Sequence, residues 1–529
     1  MALFALFTGV YYWITFTVIG YTISDALFSP VVAGFIIGLL LGDVQTGLIL
    51  GATIQLIYIG IIGAGQNWPA DECLATLIVV PLAIKTGLSI EAAAALAVPI
   101  SLLGMFLNNL RRGGNVIFVH RADKAAAAGN HRAIFRNAAI YPPLLSFALV
   151  VPPVFIANYF GSKVIDPALE VIPGWIMHAL ELCGGVLPCL GIAMTMTMIG
   201  KRNNFALFFV SFFIVVYAGM DIMFAAIIGL CVAFFVVFNR NKDDLSSIAE
   251  GKNAEVAGAG ETHLILSQKD VKRLFFRWYF LTEVSNSFER LQSLSFCAAI
   301  APALKKLYPD KEALSESLER HLQFFNTEGI FGAVIHGTTL AMEEQKAQGA
   351  DIPSEMITNI KTGLMGPLAG IGDTLTWGTM RPILLGLAAS FAMKGSPVGV
   401  IFPFAFAVIT YILGNYLCGI GYKFGRESIK NLLESGLIKD VIYGAGIMGM
   451  FMMGTLAANY VEVSTPVTFA LNGEDMAVQD FLDGVVKGML PLAFVIGTYF
   501  FLKKFPYKLL WALLIILSIC LLGSLTGAL

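Results

Sequence analysis

The sequence predicts an all-α integral membrane protein. It has two helical membrane domains with broken or re-entrant helices, and an amphipathic helical region opens the second half. Three observations carry this. The 529 residues are 57% hydrophobic and only 13% charged, with a mean hydropathy of +0.77, whereas a soluble domain is nearer a quarter charged. The apolar runs are long and helical rather than alternating segments of about ten residues, which excludes a β-barrel. Residues 241–265 interrupt them with Asp243, Asp244, Ser246, Ser247, Glu250 and Lys252, then small residues without apolar period. That composition reads as a flexible linker between residues 1–240 and 266–529.

Taken in order, the apolar residues 2–24 lack a basic n-region and an A-x-A site, so they read as a retained first span. Further candidate spans in the first half are 31–64 (two elements joined near Gly51), 73–107 (again two), 136–160, 181–199 and 204–238. Basic groups at Arg111–Arg112, His120–Lys124, Arg132, Arg136, Lys201–Arg202 and Arg240–Lys242 read as polar breaks on the cytoplasmic side. In residues 266–360, Leu314, Leu318, Leu322 and Phe325 recur at helical spacing among charges, as do Met356, Ile360 and Leu364. These predict amphipathic, water-exposed helices. The membrane part then runs over 361–529, with spans at 380–393, 397–420, 440–458, 484–502 and 507–528 and a polar surface loop at 462–482.

A net charge of −2 and no basic stripe interleaved with aromatics exclude nucleic acid as a partner. The seven Cys have no metal or CxxC spacing and read as small buried hydrophobes. The six His form no ligand or dyad pattern. His321 has a phosphoacceptor reading in principle and a solvated helix-face reading. With no Walker loop, GxGxxG after a strand or GxSxG elbow, no nucleotide, metal or other cofactor is expected.

The chain is organised around residues 361–382. Gly363, Gly366, Gly370, Gly372 and Pro367 punctuate an apolar run that leads to Asp373 and Arg381. Charges beside a broken apolar segment are costly in a bilayer unless paired or set in a polar cavity. Gly spacing of this kind also serves helix packing, with the Asp–Arg pair closing a turn. A second constellation, Gln66-Asn67-Trp68-Pro69-Ala70-Asp71-Glu72, lies between apolar runs. Two amides, two carboxylates and an aromatic suit sugar hydroxyls and a ring face. The same residues also suit a loop capping a helix. Asp43 reads as the N-cap of the helix containing Gly47, and Gln55 as a polar face toward substrate. Glu289 and Arg290 are adjacent and on a helix do not face each other, so each needs a partner elsewhere.

At these stretches the sequence resembles the membrane part of the mannose-type (mannose–fructose–sorbose) permeases of the bacterial phosphoenolpyruvate:sugar phosphotransferase system. Residues 1–240 resemble the IIC subunit at Pro30 through Gly42-Asp43-x-x-Thr46-Gly47, Ala122-Asp123-Lys124 and Gly184-Gly185. Residues 266–529 resemble the IID subunit at Phe288-Glu289-Arg290-x-Gln292, Arg320-His321-x-x-Phe-Phe-Asn326-Thr327, Leu340–Gln345, Gly363–Asp373, Trp377-Gly-Thr379 and Arg381-Pro382. The two subunits are usually separate chains, and here one chain carries both. Departures fall at Ser29, where the family usually has Arg, at Gln55, where many have Glu, and at Gln66–Trp68. An amide in place of a carboxylate changes which hydroxyl or amine is recognised.

The resemblance implies a multi-pass permease of the bacterial cytoplasmic (inner) membrane, surrounded by lipid and assembled as a homotrimer of IIC–IID units. It would translocate a hexose or amino sugar that a separate cytoplasmic IIB protein, fed by IIA, phosphorylates on release. The chain needs no phosphoacceptor of its own. The expected substrate-binding set is Gln55, Gln66, Asn67, Asp71, Glu72, Glu289, Asn326 and Asp373, with Arg290 and Arg381 balancing buried carboxylates. Two other classes stay open. One is an ion-coupled secondary transporter using Asp43, Asp71 and Asp373. The other is a receptor or docking module that moves nothing.

Overall fold

The structure, a computed structural model, describes residues 1–60, 70–169, 174–200, 204–220, 222–240, 265–427, 436–471, 474–505 and 508–529. The first half forms α1 (Ala2–Phe16), α2 (Tyr21–Phe28), α3 (Pro30–Leu41), α4 (Val44–Tyr58), α5 (Glu72–Thr86), α6 (Ile90–Ala127), α7 (His131–Ala139), α8 (Tyr141–Leu169), α9 (Gly174–Val186), α10 (Pro188–Ile199), α11 (Ala206–Ala218) and α12 (Ile222–Arg240). The second half forms α13 (Gln268–Leu281), α14 (Ser293–Leu307), α15 (Lys311–His321), α16 (Ala333–Ala347) and α17 (Ser354–Gly372). A π-helical stretch (Asp373–Met380) joins α17 to α18 (Arg381–Met393). After a 3-10 turn come α19 (Ile401–Glu427), α20 (Gly436–Tyr460), strands β1 (Thr468–Leu471) and β2 (Glu474–Ala477), then α21 (Val478–Val485), α22 (Met489–Lys504) and α23 (Leu509–Thr526).

By length and composition, the described residues hold three helical stretches able to cross a membrane: Ile90–Ala127, His131–Gly161 and Pro397–Gly425. Counting bent pairs as one span raises this to five; α2–α3 bends by 57° and α21–α22 by 74°. The all-α expectation holds, with one correction. Within the expected loop 462–482, β1 and β2 pair antiparallel from Thr468↔Ala477 to Leu471↔Glu474.

Local chemistry sets the helix boundaries. Asp43 caps α4 by accepting from the Thr46 amide at 3.0 Å, as its position predicted. The break in 31–64 therefore falls at Gly42–Asp43, not at Gly51. Gly42 closes α3 at φ 82, a conformation that glycine adopts without steric cost. Gly51 instead lies inside α4, where an added Cβ would overlap the Pro30 carbonyl, just as one at Gly34 would overlap that of Gly47. Small residues thus let α3 and α4 pack backbone to backbone.

The basic groups Arg111–Arg112 and His120–Lys124 do not break the chain. They lie inside α6, a single helix of 38 residues. Burial of Arg111 is tolerated because its Nη1 donates to the Phe16 carbonyl at 2.6 Å and its guanidinium lies over the Phe16 ring.

The two halves of the sequence do not build separate cores. One core joins α1, α3–α6 and α8–α11 to α18, α20, α22 and α23. The other joins the end of α6 and α7 (Val119, Ala122, Ile134) to α13–α16. Leu314, Leu318, Leu322 and Phe325 are buried, on one face as their spacing predicted. The region is less water-exposed than expected, because that face closes the core that α13–α16 share with the end of α6 and α7. His321, expected as a solvated face residue or phosphoacceptor, is completely buried. Its Nε2 lies 2.8 Å from Glu343 Oε1, out of reach of a phosphoryl donor. Arg320 binds the same carboxylate through Nε (2.9 Å) and Nη2 (3.0 Å).

Candidate functional site

Both halves contribute to a cavity of about 410 Å³, within the range of about 300–1,000 Å³ usual for small-molecule sites. Its walls are α1, α2 and the turn between them, the start of α5, one face of α6, the segments 283–286 and 326–328, and the α17–π junction. Two non-glycine residues carry left-handed backbone: Val18 (φ 57), in the wall itself, and Leu291 (φ 49), outside the wall in the turn beyond Glu283 and Asn286. For β-branched Val18 this is an outlier, of the kind held in place by surrounding structure at functional sites.

In the first-half wall, Asp71 caps α5 through Oδ1, which accepts from the Leu74 amide at 2.8 Å. Its Oδ2 accepts from the Tyr12 hydroxyl at 2.6 Å. Gly104 on α6 makes room, since any Cβ there would overlap the Asp71 side chain. Arg111 stands in the same wall. Its buried Nε has no partner among the described residues.

The second-half wall is a relay of hydrogen bonds. Glu283 accepts from Asn286 Nδ2 (2.7 Å) and Gln292 Nε2 (2.8 Å). Gln292 Oε1 accepts from the Thr327 amide (2.9 Å), which fixes Asn326 and Thr327 at the cavity. Asn326 Oδ1 is buried without a partner among the described residues. Such an orphan is costly unless a ligand or water meets it. Glu328 accepts from the Ile330 and Phe331 amides (3.0 and 2.7 Å) and from Trp377 Nε1 (3.2 Å). Trp377 packs edge-on against Tyr21 from the first half, at 5.3 Å between centroids.

The floor comes from the stretch 361–382. Gly363, Gly366 and Gly370 meet open space rather than another helix. Gly366, Ala369 and Gly370 face the cavity, with Asp373 beyond. The stretch does not break but continues as a π-helix, in which Thr379 Oγ1 donates to the Thr374 carbonyl at 2.8 Å. Single π turns of this kind gather at functional sites.

Behind the wall, Arg381 ties the halves together. Its Nε bonds both Asp25 oxygens (3.1 and 3.0 Å) and its Nη2 bonds Glu72 Oε1 (2.8 Å). Gln55 Nε2 donates to Glu72 Oε2 at 3.4 Å, and Ser29 Oγ donates to Gln55 Oε1 at 2.6 Å. The two departures at Ser29 and Gln55 therefore touch each other.

Of the expected set, the cavity gathers Asp71, Asn326 and Asp373. Gln55 and Glu72 sit in the Arg381 network behind the wall rather than facing the cavity. Glu289 stands outside it, 35% exposed, 3.0 Å from His120 Nε2 and 3.3 Å from Arg290 Nε. It reaches Arg290 because residues 287–291 form a tight turn closed by a Ser287↔Leu291 bridge, not a helix. Arg290 also holds Asp123 of α6 with Nη1 at 2.6 Å and Nη2 at 3.0 Å, so it balances a half-exposed carboxylate. Gln66 and Asn67 lie outside the described residues. Sequence reasoning passed over Asp25, Glu283 and Tyr21 in the wall. Asp25 and Glu283 carried one legible signal: each is a carboxylate inside an apolar stretch, which demands a partner.

The wall is rich in acceptors, with Asp25, Asp71, Glu283, Glu328 and Asp373 against Arg111, and Phe16, Tyr21, Phe28 and Trp377 add ring faces. Carboxylates accept from hydroxyl and ammonium donors alike, and aromatic faces cover apolar ring faces.

Comparisons with known proteins match the two halves of the chain to different components. Residues 2–235 match the family described as the PTS system sorbose-specific IIC component. Residues 265–529 match the PTS system mannose/fructose/sorbose family IID component. The mannose-specific EIID component of Escherichia coli K12 is 38% identical over 45% of this chain and 87% of its own length. The fructose permease IID component of Bacillus subtilis is 36% identical over 45% of this chain and 89% of its own. The mannose-specific EIIC component of Escherichia coli K12 is 30% identical over 43% of this chain and 85% of its own. The chain belongs to the mannose/fructose/sorbose family of phosphotransferase-system sugar permeases, with the IIC component in its first half and the IID component in its second.

Proposed function

We propose that the cavity between the halves binds one hexose or amino sugar and exposes it alternately to the two sides of the membrane. The observation that carries this reading is that Asp71, from one half, and Asn326 and Asp373, from the other, line a single cavity. Asp71, Glu283, Asn326, Glu328 and Asp373 accept hydroxyl or ammonium donors, while Trp377 and Tyr21 cover a ring face. Gln66 and Asn67 belong to this set by residue type. Gln55, Glu72, Asp25 and Arg381 hold the wall in place. Substrate released inward is phosphorylated by a cytoplasmic IIB carrier, as the relationship to phosphotransferase permeases supports. The assembly is a homotrimer of IIC–IID units crossing the bacterial inner membrane several times, embedded in its lipid.

The test is uptake into membrane vesicles. Sugar is expected to accumulate as its phosphate, and only with the IIB protein and phosphoenolpyruvate present. Uptake driven by an ion gradient alone overturns the reading. One observation favours that ion-coupled alternative, namely the carboxylate excess of the wall. Asp43, one of its three expected residues, is an α4 cap away from the cavity.

A further inference from the structure

A strongly basic patch lies apart from the cavity, where α7 of the first half packs against α14 of the second. Arg132 and Lys305 are exposed and Arg277 is half-buried. The three stand around His131, on α7, α13 and α14, and α14 packs on both of the other helices. Arg273, one turn before Arg277 on α13, adds to the field there. Acidic groups nearby are already committed. Asp270 is bound to Lys306. Asp310, close to Lys305, caps α15 through the Ala313 amide at 2.9 Å. Among the described residues, Arg132, Arg273 and Arg277 make no ion pair.

The patch sits at the edge of an apolar surface. Phe135 and Ile140, beside Arg132 and Arg136, are 44% and 43% exposed, and Phe276, beside Arg277, is 51% exposed. The helix pair His131–Gly161, a candidate span, begins here. Exposed aromatics flanked by arginines at the mouth of a span are the pattern of a membrane–water boundary, and basic residues mark its cytoplasmic side. α13 repeats the pattern as a helix lying on that boundary, with Lys272, Arg273 and Phe276 outward and Leu274, Phe275 and Trp278 buried.

We propose that Arg132, Arg277 and Lys305 form a site for the phosphate headgroup of an anionic phospholipid of the cytoplasmic leaflet, clamping the two halves where their helices meet. A guanidinium pair presents forked donors to phosphate oxygens. The acyl chains run down over Phe135 and Ile140. The site rests on the chain being embedded in a membrane and not on the sugar reading, so either can fail alone.

The experiment uses the full chain in nanodiscs of phosphatidylcholine mixed with phosphatidylglycerol, released for native mass spectrometry. The chain is expected to retain phosphatidylglycerol over phosphatidylcholine. Arg132→Gln with Arg277→Gln is expected to weaken that retention by about fivefold for each charge removed, with thermal unfolding in detergent unchanged. A Lys503→Gln, Lys504→Gln control at the end of α22 is expected to keep it. Unchanged retention in the first variant overturns the site, and so does an equal loss in the control. Displacement of the lipid by inorganic phosphate or a sugar phosphate overturns the lipid as source. Loss of binding to a phosphorylated carrier protein, with lipid retention intact, assigns the patch to a protein and likewise overturns it.

Discussion

Arg320 and Arg381 are both buried arginines held by carboxylates, and they lie 61 positions apart in one half of the chain. Arg320 finds Glu343, His321 and Glu316 nearby, all in the helices α15 and α16. Arg381 finds Asp25 and Glu72, both in the other half. The first cluster closes a core and stands outside the cavity described above. In the second, Asp25 is itself part of the cavity wall. Identical chemistry therefore locks one fold unit in one place and positions a binding wall in the other. What separates them is where the carboxylates come from, and helix-spaced neighbours do not reveal that. Glu343 shows how complete the inner lock is. Burial works against its ionisation, yet the hydrogen bond from His321 and the charge and hydrogen bonds of Arg320 bring its pKa down to about 2.

The sharpest break of this comparison is at the cavity itself. Asp71→Asn is expected to abolish sugar uptake in vesicles while membrane insertion, read by immunoblot, is unchanged. Glu289→Gln, outside the cavity, is expected to keep uptake. Equal loss in both variants would sink the assignment of the wall. Next come the arginines. Removing one partner of a buried pair costs about 3–5 kcal/mol, so Arg381→Met and Arg320→Met are both expected to lower thermal stability by that order. Neutralising the orphaned acids separates them. Arg320→Met with Glu343→Gln is expected to recover stability with full sugar affinity. Arg381→Met with Asp25→Asn and Glu72→Gln recovers stability but binds sugar weakly. Calorimetry with the purified chain reads both, and a fully recovered affinity in the second set contradicts a positioning role for Arg381.

A smaller effect tests the Ser29–Gln55 contact. Gln55→Glu places a second carboxylate against Glu72, and like charges at this distance destabilise. Adding Ser29→Arg supplies the missing cation and is expected to restore stability. A double-mutant cycle reads the coupling, which contacting residues give as about 0.5–3 kcal/mol. Additive effects would mean that the two positions are independent.

Much of this was legible in the residues. Asp43 and Asp71 announce their helices as caps, Leu314 through Phe325 announce a buried face, and the apolar composition announces the class. The cavity set was legible only where a polar group stands in an apolar run, as with Asp71 and Asp373. Asp25 carried that same signal, but its partner was not legible, because Arg381 lies 356 positions away and no local period connects them. Residues 361–382 read as a break because Gly and Pro usually end helices. The helix nonetheless runs on through Pro367 into the π-helical stretch, and Gly363, Gly366 and Gly370 meet open space rather than a neighbouring helix. Glu289 read as a seeker of distant partners because the turn at 287–291 leaves no periodic trace.

The smallest effect is expected at a surface lock like that of Arg320 in kind but not in burial. Asp270 closes the capping box of α13, with its Oδ2 accepting from the Ser267 amide at 3.0 Å and hydroxyl at 2.8 Å, and it pairs with Lys306. Burial alone would raise its pKa. The Lys306 ammonium and the Ser267 donors outweigh that and hold it at about 2, against 3.8 for the free side chain. A carboxylate held low stabilises the fold above its free pKa, and that stability is lost as pH falls through the folded value. Because Lys306 is half exposed, screening keeps the gain near 1 kcal/mol. Asp270→Asn is therefore expected to lower thermal stability by about that much at neutral pH. The gap to the unmodified chain should shrink as pH falls from 3.8 toward about 2. A pH-independent gap in thermal scans would show that the carboxylate charge contributes nothing, leaving only the shape of the cap.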